Sequence, residues 1–472
     1  MKKLSIVLLS IIFFQSHAFS NVLSFSLFAA DGNMIIKMVN CYVPSTTGED
    51  SIVNIEAEES LYINNVSETE NLNIGTIKAG ETASISSEIK DIIAYDEDSY
   101  ISANNIEFNA KEGNIGSDDN KLKITDFELV SGYAKENINI EIITPDALNI
   151  EEDAIRHPEL VSGSAVYNVG DLKSEEGYID IYSGDSGINL KGEIEAKESI
   201  NADIYGSISD DATNNTAGFY SKNVNLKSKT GKIGDKDNSI RVGDFPSSAI
   251  PGGSNRESTL NANAESGIYI ESEDTIIADK VETEKSDVKL ESDNDIKAKK
   301  QDNEGSNIKA ENIELTAGGN IGEEDNRIVT EITKEKGKTN LKANGNIYLK
   351  QNGMNRFYSD YVINKGNGNT SLLLPDNHAF IIDLDIANPG LFRIDFAERK
   401  YKNNISIGHN SIEKLAIHPV AVRQNTEEEE EKENKYELLK GFQDNIIVHP
   451  DLFSPLKQFN VTILKPISKL KE

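Results

Sequence analysis

The sequence predicts an all-β protein whose fold is a right-handed parallel β-helix (β-solenoid) with irregular inserts and a less regular C-terminal region. Three observations support this fold class. One pattern of strand and turn residues occurs three times, at residues 105–124, 223–242 and 311–332. An alternating strand precedes each occurrence by 45 residues, which indicates stacked units of equal size. Hydrophobic residues make up 37% of the chain and Trp is absent, so a thin aliphatic core is expected.

The repeated pattern combines strand and turn signals. NIEFNAKEGNIGSDDNKLKI at 105–124 contains an Asn, two apolar residues two positions apart, Ile-Gly, Asp-Asn and a second apolar run. The copies at 223–242 and 311–332 keep this order. Period-two alternation is typical of a strand, Gly is typical of turns, and Asp-Asn is favoured where a side chain bonds its own backbone. The pattern therefore predicts an array of strands and turns.

The spacing of 45 residues indicates how the array is built. It accommodates two coils of about 22 residues, which suits a parallel β-helix, and predicts about 10–14 coils in all. One unit cannot bury its apolar face until a neighbour stacks on it, so the interior should hold ladders of apolar side chains. The predicted core positions are Leu61, Ile63, Ile106, Phe108, Ile179, Ile181, Val224, Leu226, Ile268, Ile270, Ile313 and Leu315.

The predicted boundaries follow breaks in this pattern. Residues 1–20 have a basic start, an apolar run and small residues, which are typical of a cleavable signal peptide. The strand pattern is lost at His157 and Pro158, and residues 245–257 are rich in Pro, Gly and Ser. The full division is a signal peptide at 1–20, an N-terminal cap at 21–47, solenoid module 1 at 48–125, an insert at 126–175, module 2 at 176–243, a linker at 244–264, module 3 at 265–332, a degenerate module 4 at 333–400 and a C-terminal region at 401–472.

Both ends of the array are expected to differ from its middle. Residues 21–47 should pair onto the first coil as a cap, because an open solenoid end exposes strand edges. Module 4 lacks the Ile-Gly and Asp-Asn segment at the expected place, as end repeats often do. The C-terminal region contains five consecutive glutamates at 427–431, which predict a solvated acidic run, and its last apolar segment is a possible second cap.

Composition excludes several classes of protein. The chain has 79 acidic and 48 basic residues, a formal net charge of −31, which repels nucleic acid and anionic membranes, so DNA and RNA are excluded as partners. No segment after the signal peptide is long and apolar enough to predict a transmembrane helix. Cys41 is the only cysteine, so it is expected to be a small buried hydrophobe or, alternatively, to pair between molecules.

The repeats resemble those of filamentous-haemagglutinin-like bacterial adhesins and exoproteins. The resemblance lies in LNIGTIKAG, SANNIEFNAKEGNIGSDDNKLKI and ENIELTAGGNIG. It covers the shaft only, since neither the Asn-Pro-Asn-Gly type motif of two-partner secretion nor an autotransporter terminal domain is recognised. The resemblance implies a non-enzymatic structural adhesin, secreted or on the bacterial cell surface, that contacts a host or bacterial surface protein or glycan. End-to-end self-association stays open, and residues 126–174 and 245–257 are the predicted contact surfaces.

Two other functions remain open: a periplasmic or envelope scaffold, and a secreted polysaccharide-active enzyme on a β-helix. No catalytic or cofactor-binding residue is assigned. The string GDSG at 184–187 has no His in a triad context, and a turn explains it. Acidic turn residues are weak Ca²⁺ candidates, although the nine-residue spacing of calcium-binding glycine-aspartate repeats is absent. These candidates are Asp119, Asp237 and Asp325.

Overall fold

The protein is a β-solenoid of about 13 turns in which the strands of successive coils pair in parallel. A computed structural model describes residues 25–29, 34–38, 52–65, 70–145, 165–210, 217–245, 256–300, 305–353, 356–375, 378–387, 392–396 and 404–407. No helix occurs among these residues, and thus none that could cross a membrane. The predicted all-β solenoid is confirmed.

The strands, numbered along the chain, form two long sheets. Sheet A contains β1 (Phe25–Ala29), β3 (Ile52–Ala57), β5 (Leu72–Ala79), β7 (Ile92–Ala94), β8 (Tyr100–Ser102), β10 (Leu122–Thr125), β12 (Ile138–Ile142), β14 (Ile179–Ser183), β17 (Ile200–Ile204), β20 (Asn223–Ser228), β22 (Glu257–Ala264), β24 (Thr275–Thr283), β26 (Ile296–Ala298), β27 (Ile308–Ala310), β29 (Ile328–Ile332), β31 (Ile347–Asn352), β33 (Thr370–Leu374) and β35 (Phe392–Phe396).

Sheet B faces sheet A across the interior. Sheet B contains β2 (Met34–Met38), β4 (Leu61–Asn65), β6 (Thr82–Ser87), β9 (Asn105–Ala110), β11 (Leu129–Ala134), β13 (Val166–Ser174), β15 (Gly187–Leu190), β16 (Glu193–Ala196), β18 (Ile208–Asp210), β19 (Gly218–Tyr220), β21 (Ile240–Gly243), β23 (Ile268–Ser272), β25 (Asp287–Ser292), β28 (Asn312–Ala317), β30 (Thr339–Ala343), β32 (Phe357–Asn364), β34 (His378–Ile386) and β36 (Asn404–Ile407).

The core consists of inward-facing apolar ladders that run between the sheets. All twelve predicted core residues are buried, and Phe108, at 4%, is the most exposed of them. In one ladder Ile63 pairs with Ile85, and Ile85 pairs with Phe108. Burial of each such side chain is worth about 1.5–3 kcal/mol, so stacking replaces a compact core as the source of stability.

Strands extend into both ends of the predicted array. Within the predicted cap at 21–47, β1 pairs with β3 and β2 pairs with β4, so this segment adds a coil in the same register. Strands β30 to β35 continue the coils through the predicted degenerate module at 333–400, and β36 belongs to the C-terminal region. The signal peptide, Cys41 and the acidic run lie outside the described residues.

The boundaries predicted for the insert and for the linker both include strands of the solenoid. Strands β11, β12 and β13 lie within 126–175 and pair in the two sheets, because their alternating apolar residues fill the interior like those of the modules. Strand β22 lies within the predicted linker at 244–264 and pairs with β20. The remaining residues, 146–164 and 246–255, are outside the described part of the chain.

Candidate functional site: the protruding loops

Each copy of the repeat carries a six-residue loop that interrupts one strand. The loops are residues 116–121, 234–239 and 322–327. In the first copy Ile115 pairs with Ile138 and Leu122 pairs with Ile140, so the whole loop stands opposite a single residue, Asn139. In each of the other two copies, the loop likewise lies opposite a single residue of the next coil. Those single residues are Tyr269 and Tyr348.

A glycine begins each loop because the backbone there is left-handed and crowded. Gly116, Gly234 and Gly322 have φ values of 69°, 71° and 71°. A Cβ atom at these positions would lie 2.1, 2.3 and 2.3 Å from the carbonyl oxygen of the single residue in the next coil. Only glycine combines this φ with so close an approach of two backbones. The Ile-Gly signal in the sequence therefore marks the root of a loop.

An asparagine closes each loop and ties it to the coil below. The Nδ2 of Asn120 donates to the carbonyl oxygen of Ala94 at 2.9 Å. Asn238 and Asn326 make the same bond to Asp210 and Ala298, at 2.9 and 2.7 Å. These three carbonyls belong to the last residues of strands β7, β18 and β26, so the amide side chain supplies a donor where each strand ends. This role accounts for the Asn of Asp-Asn.

The aspartate before each of these asparagines is exposed, in contrast to the loop roots. Asp119, Asp237 and Asp325, the predicted Ca²⁺ candidates, occupy this position. The structure does not bring them together, since each belongs to a different loop. The described residues contain no group of three or more His, Cys, Asp or Glu side chains arranged to hold a metal ion.

The loops lie on alternating faces of the solenoid. Loops 116–121 and 322–327 interrupt sheet A, whereas loop 234–239 interrupts sheet B. The cause is a displacement of the middle copy by half a coil, because its strand β20 lies in sheet A while β9 and β28 lie in sheet B. The three copies therefore present equivalent loops to opposite sides.

Charged groups in the loops contact neighbouring side chains. Asp118 accepts a hydrogen bond from the hydroxyl of Tyr178, and burial, followed by this carboxylate, raises the pKa of Tyr178 to about 12. Asp235 pairs with Lys232, whose hydrogen bond lowers the pKa of that carboxyl. The contact with Lys232 therefore favours the ionised form of Asp235.

Polar ladders stabilise the turns beside two of the loops. Asn114 donates its Nδ2 and its amide to Oδ1 of Asp91 at 3.0 and 2.8 Å, and Asn137 repeats both bonds to Asn114. In the third copy Asn320 binds Asp295 in the same way, and Asn346 binds Asn320. An aspartate suits the first position because it needs only to accept. These ladders were not predicted from the sequence, although the Asn that precedes Ile-Gly in both copies indicates them.

The two predicted contact segments connect the sheets in opposite order along the chain. Residues 146–164 lie between β12 of sheet A and β13 of sheet B, whereas 246–255 lie between β21 of sheet B and β22 of sheet A. At the root of the second segment, the Lys173 ammonium pairs with Glu195 at 2.8 Å and lies 5.6 Å from the ring centroid of Phe245.

The GDSG string forms part of a turn between β14 and β15. Ser183 Oγ accepts the amide of Ser186 at 3.1 Å, and both serines are fully buried. Of the histidines that follow the predicted signal peptide, only His378 lies among the described residues, at the start of β34. The structure brings no histidine of the described chain to these serines.

Comparison with protein-family models, curated proteins and solved structures finds no match for this chain. The resemblance to haemagglutinin-like repeats stays a prediction.

Proposed function

We propose that this protein is a secreted or cell-surface structural solenoid, of the adhesin type, that contacts host or neighbouring cells through its protruding loops. The observation that carries the proposal is the six-residue loop, which is built three times with the same glycine root and asparagine closure. The solenoid itself does not require it, because the next coil spans the same gap with one residue.

The structure of the loops suits a recognition surface. Their roots are rigid, since the glycine amides donate to the coil below at 2.7–2.8 Å and the asparagines bind its carbonyls. Their acidic tips are exposed, and binding residues concentrate on loops held by a rigid scaffold. The alternation of faces gives one molecule contacts on two sides.

The loop chemistry favours a basic partner surface on a protein or glycan. The tips carry exposed carboxylates, and the whole chain has a formal net charge of −31. A negative field of this kind attracts cationic surfaces and repels anionic ones. Binding through the loops is therefore expected to weaken as salt rises, because exposed charges are screened within about 10 Å at 0.1 M ionic strength.

A loop replacement tests the contact role without removing the shaft. Residues 116–121 are replaced by one Asn, and residues 234–239 and 322–327 each by one Tyr, as in the next coil. Circular dichroism is expected to show an intact solenoid, while binding to cells falls. The control exchanges Asp325 for Asn in an otherwise intact loop, which changes one tip charge only. Undiminished binding by the folded triple replacement would refute the contact role.

A second experiment tests the location. External protease is added to intact cells of the source organism, with a periplasmic protein as the internal control. Cleavage of this chain while the control survives is the expected result. Protection, together with release by osmotic shock, would contradict the surface location and leave the periplasmic scaffold.

A further inference from the structure

One corner between the two sheets carries a group of buried polar side chains. Strands β10, β12 and β14 pair in register in three successive coils. Asp126, Thr144 and Asp185 each lie two residues beyond the same register position, so they stack at one corner. Thr144 closely precedes residues 146–164 in the chain.

The Asp185 carboxylate is only partly satisfied at this corner. Its Oδ2 accepts the hydroxyl of Thr144 at 2.5 Å and the Thr144 amide at 3.3 Å. Its Oδ1 is buried without a hydrogen bond, and no described Lys or Arg side chain forms an ion pair with it. A buried carboxylate oxygen without a proton, donor or cation is strongly disfavoured. One oxygen of the Asp185 carboxylate therefore receives neither a donor nor a cation from the described part of the chain.

Two buried hydroxyl groups join the corner. Tyr167 is 1% exposed and its ring stacks on Phe127 with centroids 4.6 Å apart, while Thr125 is fully buried. The two hydroxyls lie close to each other, but neither has a hydrogen-bonding partner of acceptable geometry. Burial raises the pKa of Tyr167, and the charges of Asp185 and Asp126 raise it further, so both carboxylates lie near the phenol.

We propose that this corner, formed by Thr125, Asp126, Thr144, Tyr167 and Asp185, binds a hard cation of the calcium class. Every side chain in the set offers oxygen, which is the ligand that such cations take from carboxylates, carbonyls and water. Hydroxyl protons can turn away from the cation, leaving lone pairs toward it. A cation here would link three successive coils at the root of residues 146–164.

Calcium binding to the full chain tests the proposal. Isothermal titration with CaCl₂ at physiological ionic strength is expected to show one site that binds calcium more tightly than the surface carboxylates do. The Tm in calcium is expected to be higher than the Tm in EDTA. Asp185→Asn preserves shape and removes charge. This substitution should weaken calcium binding by about tenfold or more, since loss of a group that only supports a metal ligand already lowers metal affinity about 10–100-fold.

Two further variants separate this site from the exposed loop acids. Tyr167→Phe keeps the stacked ring and removes only the hydroxyl, so it is expected to fold and to bind calcium more weakly. Asp119→Asn, in a loop tip, is expected to bind like the unchanged protein. Absence of calcium binding, or wild-type binding by both Asp185→Asn and Tyr167→Phe, would overturn the proposal. Loss of binding on Asp119→Asn alone would place the site in the loop and overturn it as well.

Discussion

Gly322→Ala tests the account of the loop root most directly. Gly322 has a φ of 71°, where a non-glycine residue costs about 1–2 kcal/mol. Its Cβ would lie 2.3 Å from the carbonyl oxygen of Tyr348, so the backbones must separate, which costs about 1–3 kcal/mol more. The local free energy of opening should therefore fall by about 2–5 kcal/mol. A loss of 2 kcal/mol corresponds to about 30-fold faster exchange of protected amides.

Native-state hydrogen exchange is the appropriate assay, because a repeat array opens locally and need not unfold in two states. The probes are the amide of Gly322, which donates to Ile296 at 2.7 Å, and the amide of Tyr348, which donates to Ile321 at 2.7 Å. Both should lose protection.

Gly353→Ala is the matched control for this substitution. Gly353 also has a positive φ, 89°, but a Cβ there would meet nothing within 4 Å. In Gly353→Ala the local free energy of opening should fall only by the cost of the positive φ, about 1–2 kcal/mol. Equal losses at Gly322 and Gly353 would refute the argument that close backbone approach, rather than φ alone, requires the glycine.

Two further predictions concern charge. Asn320→Asp replaces the Nδ2 that lies 3.0 Å from Asp295 Oδ1 with a carboxylate oxygen, so it should destabilise the protein by about 2 kcal/mol. Protonation removes the repulsion between the two carboxylates, so the loss of unfolding free energy measured in urea titrations should shrink below about pH 4. A loss that does not change with pH would contradict this account. Burial, followed by the charge of Asp274, raises the pKa of Asp244 above its unfolded value, so the ionised carboxylate is disfavoured on folding. Asp244→Asn should raise the Tm at about pH 7 but not at about pH 3, where both states are protonated; equal shifts would be the contrary result.

The predicted solenoid core came from short-range information. Residues such as Ile63 and Phe108 are buried because alternation at period two specifies an inward face wherever the strand is placed. The predicted insert at 126–175 was too wide for a related reason. His157 and Pro158 interrupt the pattern, but strands β11, β12 and β13 around them keep it. An interrupted sequence pattern therefore does not indicate how far the neighbouring strands extend.

The chemical candidates show the limit of sequence reading. Asp119, Asp237 and Asp325 are conspicuous in the repeat, yet each lies exposed in its own loop. Asp126 was not singled out, and Asp185 was considered only as part of the GDSG turn, because the two are distant along the chain. Register between successive coils is what places them at one corner.

The amino-acid pattern alone was sufficient to establish an all-β array of stacked coils, its inward ladders and the glycine and asparagine turns, because each depends on neighbours within a few residues. The sheet that each copy joins depended on the folded coils. A coil consists of two strands joined by two turns, and a local segment fits either half of a coil. The number of residues between copies sets which half a copy occupies, and this number displaces β20 by half a coil from β9 and β28. Only the stacked structure reveals that the loops alternate between faces and that Asp126, Thr144 and Asp185 meet.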